Sequence, residues 1–155
     1  AIVVPVFHQG RLVGFAGNTA HHVDIGAATP GLIIDVPDVF AEGMLFAGTK
    51  LYRRGEANGA MWNYIRRNSR AAGQLVMDIE AQVASARLGA RRFVELLDKY
   101  GEAVVFAAAG QLMDYAERMT RARIREIPDG DYEAEGWLDD DGRNRGVRLP
   151  LKVTV

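Results

Sequence analysis

The chain has 155 residues, the size of one domain, and 19 Lys+Arg against 20 Asp+Glu give it a net charge of -1, which supplies no field to draw it onto nucleic acid or an anionic membrane. It contains no cysteine, so disulfides and thiolate ligation are excluded and any metal falls to His, Asp, Glu or backbone oxygen. No apolar run reaches the roughly 18–20 residues of a membrane span and no signal-peptide pattern is present, so a cytoplasmic location is expected.

The chain opens without methionine on the strand-like Ala1 to Phe7 and closes on the strand-like Val147 to Val155. Because domain ends are usually polar and frayed, an internal piece of a larger multi-domain subunit is expected. Ile2 to Phe7 and Leu12 to Ala20 flank the polar group His8-Gln9-Gly10-Arg11, a hairpin signal with glycine supplying the positive φ. From Gly26 to Phe40 the chain is rich in Gly, Pro and Asp without a sustained period, which predicts a long loop with short extended pieces. Met44 to Tyr52 is expected to form another short strand, ending at the turn Arg53-Arg54-Gly55-Glu56.

After Asn58, a candidate cap, the pattern becomes helical. A short helix is predicted over Met61 to Arg70 with Trp62 and Ile65 as its apolar contacts, and Gly73 separates it from a long one. In the long helix Leu75, Ile79, Val83, Ala86, Ala90, Phe93 and Leu97 recur at steps of four and three, one continuous apolar stripe, and Tyr100-Gly101 ends it. A further helix, about Glu102 to Glu126, carries Val105, Ala109, Leu112, Ala116 and Met119 and stops at Pro128; the one-glycine connection predicts an antiparallel helix pair. Asp131 to Leu138 then alternates as a strand, and Asp139-Asp140-Asp141-Gly142 offers a turn before the last strand. The fold class is α+β: a hairpin and loop region (1–57), a helical region (58–127) and a C-terminal hairpin (131–155), with hairpins at both ends flanking the helix pair.

Several constellations carry candidate chemistry. The acidic run at Asp139 to Asp141 fails as a calcium loop because Pro150 stands where an EF-hand needs its bidentate Glu. The segment Gly26-Ala27-Ala28-Thr29-Pro30-Gly31 fails as a phosphate loop, since no Lys-Ser/Thr follows. Arginines at 66, 67, 70, 87, 91 and 92, and at 118, 121, 123 and 125, are interleaved with acids and read as solvated faces.

The run Asn18-Thr19-Ala20-His21-His22-Val23-Asp24-Ile25-Gly26 holds two of the three histidines and a carboxylate. On an extended segment His22 and Asp24 face one side and His21 the other, so one strand cannot present all three to one ion. Two of them can bind together if another element completes the shell, with His8, Asp35, Asp38 and Glu42 as nearby candidates; ordinary surface or capping roles are the alternative.

These residues sit among others that together resemble the hydantoinase B / 5-oxoprolinase family: Pro5-Val6-Phe7, Gly10-Arg11-Leu12-Val13-Gly14-Phe15, His21-His22-Val23-Asp24-Ile25-Gly26, Thr29-Pro30-Gly31, Glu42-Gly43, Lys50-Leu51, Asn68-Ser69-Arg70, Asp78-Ile79-Glu80-Ala81-Gln82, Gly89-Ala90-Arg91-Arg92 and Tyr100-Gly101, in order from Ala1 to about Asp141. The resemblance implies part of an ATP-dependent enzyme that opens cyclic amides such as hydantoin or 5-oxoproline. The resemblance further implies a hydantoinase A-type ATPase partner in a hetero-oligomer and a divalent metal (Mn, Zn or Fe). It implies that His21 is a metal ligand whose two companions, from a His-x-x-Asp segment, lie upstream of Ala1, and that His22 and Asp24 are supporting catalytic groups beside it. ATP is used by the partner. Two departures stand near the implied pocket: Gly26-Ala27 where the family often has paired glycines, and Ala47-Gly48-Thr49 where it often has Pro-Pro before Lys-Leu. The alternative within the family is a subunit of an ATP-dependent acetone or acetophenone carboxylase acting on a ketone. An alternative of another class is a non-catalytic helical interaction module.

Overall fold

The computed structural model describes residues 1–31, 36, 38–141 and 144–155; of the residues singled out in the sequence, Asp35 and Gly142 lie outside the described residues. Among the described residues, mixed helices and three small two-stranded antiparallel sheets make up the architecture, in the expected α+β class. The chain divides into two compact units, Ala1–Phe93 and Val94–Val155.

The first unit begins with the predicted hairpin, β1 (Ile2–His8) and β2 (Arg11–Asn18). Gln9 at φ 49 and Gly10 at φ 79 form its turn; two consecutive positive φ values are what a two-residue turn of right-twisted strands requires. Alternation places Val6 and His8 on the buried face of β1 while Val3 and Phe7 stay exposed. The register slips between Val6, paired with Gly14, and Phe7, paired with Leu12, which leaves Val13 as the extra residue of a β-bulge.

Among the described residues from Gly26 to Phe40 no strand forms, and the regular piece that follows is a 3-10 turn at Val39–Glu42. Asp38 caps that turn, accepting from the backbone N–H of Phe40 at 3.0 Å and of Ala41 at 3.3 Å. The strand expected over Met44 to Tyr52 is not present. It is reduced to a minimal hairpin of β3 (Tyr52–Arg53) and β4 (Glu56–Ala57), turned by Arg54 at φ 52 and Gly55 at φ 87. Met44 is instead recruited to the core, and its neighbours Leu45 and Phe46 remain exposed without a pairing edge.

Helix α1 (Gly59–Arg67) buries Trp62 and Ile65 as expected, but ends three residues before Arg70. Asn58 occupies its N-cap position without a side-chain cap bond; its amide donates to the Lys50 carbonyl at 3.0 Å instead. Helix α2 (Ala72–Tyr100) begins at the Asn68–Ala71 junction rather than after Gly73, which is inside it. The Asn68 side chain donates back to the Tyr64 carbonyl at 2.8 Å and Ser69 Oγ accepts from the Ala71 N–H at 3.1 Å, local bonds that compete with the helical ladder and break it there. The predicted stripe is the buried face: Leu75, Ile79, Val83, Ala86 and Leu97 are buried, and Ala90 and Phe93 half-buried. Leu75, Val76 and Ile79 form one cluster with Met44, Trp62 and Ile65, against which Ile2, Ile25, Leu51, Tyr52 and Met61 pack. The Arg87 guanidinium stacks 4.3 Å from the centre of the Tyr52 ring.

In the second unit Gly101, at φ 82, leads into α3 (Glu102–Ile124). The stripe expected on this helix is not buried: α3 has no buried residue and only Val105 of the five is half-buried. The C-terminal hairpin of β5 (Glu133–Leu138) and β6 (Leu149–Thr154) forms in register, Gly136 opposite Leu151 and Trp137 opposite Pro150. The acidic run acts as turn chemistry: Asp141 accepts from Asn144 N–H at 2.6 Å and from its side-chain amide at 2.8 Å, and Asp140 from Gly146 N–H at 3.3 Å. Among the described residues no helix is long and apolar enough to cross a membrane.

Candidate functional site

The segment that carries the histidines follows β2 and is clamped at both ends within the first unit. At its start the Asn18 amide donates to the Gln82 carbonyl at 2.9 Å and its oxygen accepts from the Gln82 side chain at 3.1 Å, which ties the end of β2 to α2. At its far end Asp24 is 2% exposed and forms the hub of a polar cluster. Its carboxylate accepts from Gly26 N–H at 3.0 Å, from Arg70 Nη1 at 2.9 Å and from the Arg70 backbone N–H, with Ser69 Oγ 3.4 Å away. Ser69 Oγ also donates to the Asp24 carbonyl at 3.1 Å. The remaining arm of the Arg70 guanidinium, Nη2, donates to the Ala27 and Ala28 carbonyls at 2.9 and 3.3 Å, so one side chain braces three points of the loop.

Close approach of backbone to backbone completes the clamp. Gly26 is at φ 83, and a Cβ there would lie 2.5 Å from the Asn68 carbonyl oxygen. Met44 N–H donates to the Ile25 carbonyl at 2.8 Å and Gly31 N–H to the Val23 carbonyl at 2.8 Å. Gly26 thus serves tight packing beside Asp24.

This arrangement decides what each group can do chemically. The N–H donors of Arg70 and Gly26, helped by the guanidinium charge, hold the Asp24 carboxyl below its ordinary value against the opposing effect of burial. Its acceptor sites are filled and it is closed to solvent, so its chemistry here is to organise the loop. His21 is exposed; His22 is half-buried, and its Nδ1 is buried with no hydrogen-bond partner among the described residues. A buried polar nitrogen normally has a partner. Among the described residues no three His, Asp or Glu side chains gather to hold a metal. Of the other candidates His8 is buried on the hairpin face, Asp38 caps the 3-10 turn and Glu42 is exposed at the end of that turn.

Arg70 and Ser69 are not evident in the sequence as partners of Asp24, since 45 or 46 residues separate them along the chain. A signal is nonetheless present and corrects the expected interleaving for this stretch: between Glu56 and Asp78 the sequence has no carboxylate, so the acid that Arg70 pairs with comes from elsewhere in the chain.

The model of the hydantoinase B/oxoprolinase family matches residues 1–155. The chain belongs to this family. A protein of Pseudomonas sp. (strain NS671) named for the B component of a D-/L-hydantoinase is 44% identical over 98% of this chain and 27% of its own length. The beta subunit of the caprolactamase of Pseudomonas jessenii is 36% identical over 92% of the chain and 25% of its own length. The crystal structure of the ATP-dependent caprolactamase from Pseudomonas jessenii superposes with a TM-score of 0.80 at 33% identity, covering 97% of this chain and 27% of that one. The acetophenone carboxylase delta subunit of Aromatoleum aromaticum is 25% identical over 99% of the chain. This hydantoinase B/oxoprolinase-family chain therefore spans about a quarter of the length of the relatives it matches.

Proposed function

We propose that this chain is part of the B-type component of an ATP-dependent enzyme that opens a cyclic amide, and that it contributes His21 to a divalent metal site completed by residues outside it. The carrying observation is the order of similarity: relatives named for hydantoinase and caprolactamase activity are 44% and 36% identical to the chain, the acetophenone carboxylase subunit 25%. The exposed His21 on a doubly clamped loop, beside a His22 with an unpartnered nitrogen, fits a chain that supplies part of a shell. Mn, Zn or Fe suits such imidazole and carboxylate ligation. A metal held there would polarise the amide carbonyl and lower the pKa of a bound water.

The chain's own residues prepare that step. Asp24 and Asn18 fix the two ends of the loop, so the imidazole of His21 is presented with little freedom left to lose on binding. His22 stands next to it with a nitrogen able to hold a proton or orient a ligand. ATP hydrolysis belongs in this reading to a hydantoinase A-type partner, which makes the enzyme a hetero-oligomer. The carboxylase reading shares the same site and differs in the acceptor.

The test uses the intact protein co-expressed with its ATPase partner, with ATP turnover assayed on hydantoin, 5-oxoproline, caprolactam, acetone and acetophenone. Stimulation by a cyclic amide and loss of bound metal in His21→Ala are the expected results. Stimulation by ketones alone would move the assignment to the carboxylases. Unchanged metal content in His21→Ala would remove the ligand role.

A further inference from the structure

We infer that Arg70 is a positioning residue for the His21–His22 segment, acting through Asp24 and the Ala27 and Ala28 carbonyls; the inference rests on His21 being a ligand of the proposed metal site. Arg70 stands at the break between α1 and α2, where the chain leaves helical geometry. Its backbone N–H and one guanidinium arm both converge on the Asp24 carboxylate, and the other arm reaches two carbonyls of the following turn. Apolar contact reaches residues 24–28 at two points, the buried Ala27 and the half-buried Ile25 that packs on the Trp62 and Ile65 cluster, while the carboxylate and carbonyls of the turn are held by Arg70. Arg70 is thus the side chain that gathers the polar groups of the loop, whereas Leu75, Val76 and Ile79 of α2 belong to the apolar cluster.

The geometry separates positioning from folding. The Asp24 side chain is 1% exposed but that of Arg70 is 54% exposed. Removing the guanidinium takes away a largely exposed side chain at the rim of the loop and no member of the apolar cluster. Only a planar fork can serve the carboxylate and two carbonyls together, so a lysine ammonium cannot replace it fully.

The experiment uses Arg70→Ala and Arg70→Lys in the intact protein with its ATPase partner, read by amide hydrogen exchange and by steady-state kinetics with and without millimolar guanidinium. In Arg70→Ala, exchange rises in residues 19–28 and stays at the wild-type level in residues 75–86, and guanidinium restores the protection. In the same samples kcat falls by about tenfold to a hundredfold with KM nearly unchanged, as expected when a reacting group is misplaced, and guanidinium recovers part of it. Arg70→Lys lies between. Unchanged exchange in 19–28, a rise that spreads equally into 75–86, or a kcat loss that guanidinium does not relieve would each overturn the inference. If wild-type enzyme turns over no cyclic amide, the proposed function fails, and the exchange and rescue measurements still decide the role of Arg70.

Discussion

Asp24 reads from the sequence as a supporting group beside His21, and the structure shows a physical form that such support can take: a buried carboxylate satisfied by Arg70, Gly26 and Ser69. The sign of its pH dependence follows. Its folded-state pKa lies below the ordinary 3.8, so it adds stability above that value and loses it as pH falls below 3.8 toward the lowered one. Thermal unfolding of wild type and Asp24→Asn between pH 7 and pH 2 is expected to show the wild-type advantage shrinking below pH 3.8. Gly26 is the second residue-scale determinant. An alanine there takes on a left-handed backbone cost of about 1–2 kcal/mol and must displace the Asn68 carbonyl, 2.5 Å from its Cβ. Gly26→Ala should lower Tm by more than the backbone cost alone. His21 and His22 are legible in the sequence because the pair is rare and adjacent. The Asp24–Arg70 pair is not, since an ion pair across 46 residues leaves no periodic trace.

Among the elements, α2 is the most legible because a stripe with steps of four and three has one structural solution, a helix with that face buried. Leu75 is 1% exposed, whereas Met77, two residues on, is 64% exposed. Leu75→Ala should therefore cost about 2–5 kcal/mol and Met77→Ala less than about 0.5 kcal/mol, measured by denaturant unfolding. The hairpins at both ends are equally readable, since Gln9-Gly10 and alternating apolar residues specify turn and register together. The strand expected over Met44 to Tyr52 does not form because apolar residues without a partner edge make no ladder, and Met44 gains more by joining the Trp62 and Ile65 cluster. The α1 boundary falls earlier than expected because Ser69 and Arg70 are acceptable in a helix by propensity, and their bonds to Asp24 join the local bonds of Asn68 and Ser69 in holding them out of it.

For the molecule as a whole, burial is concentrated in one place: among the described residues every buried one lies at or before Leu97. Few buried contacts and exposed backbone bonds mean easy local opening. Amide exchange in residues 102–124 of α3 should accordingly run orders of magnitude faster than in residues 75–86 of α2 in the 155-residue chain, and comparable protection in the two would contradict this. The sequence by itself determined the α+β class, the hairpins at both ends, the buried face of α2 and membership in the hydantoinase B/oxoprolinase family, because each rests on a local period, a turn or a run of matching residues. Only the tertiary structure decided that Asp24 is a filled structural hub, that Arg70 braces the histidine loop, and that the α3 stripe stays exposed. Those outcomes depend on which distant groups meet, and a one-dimensional pattern carries no record of that.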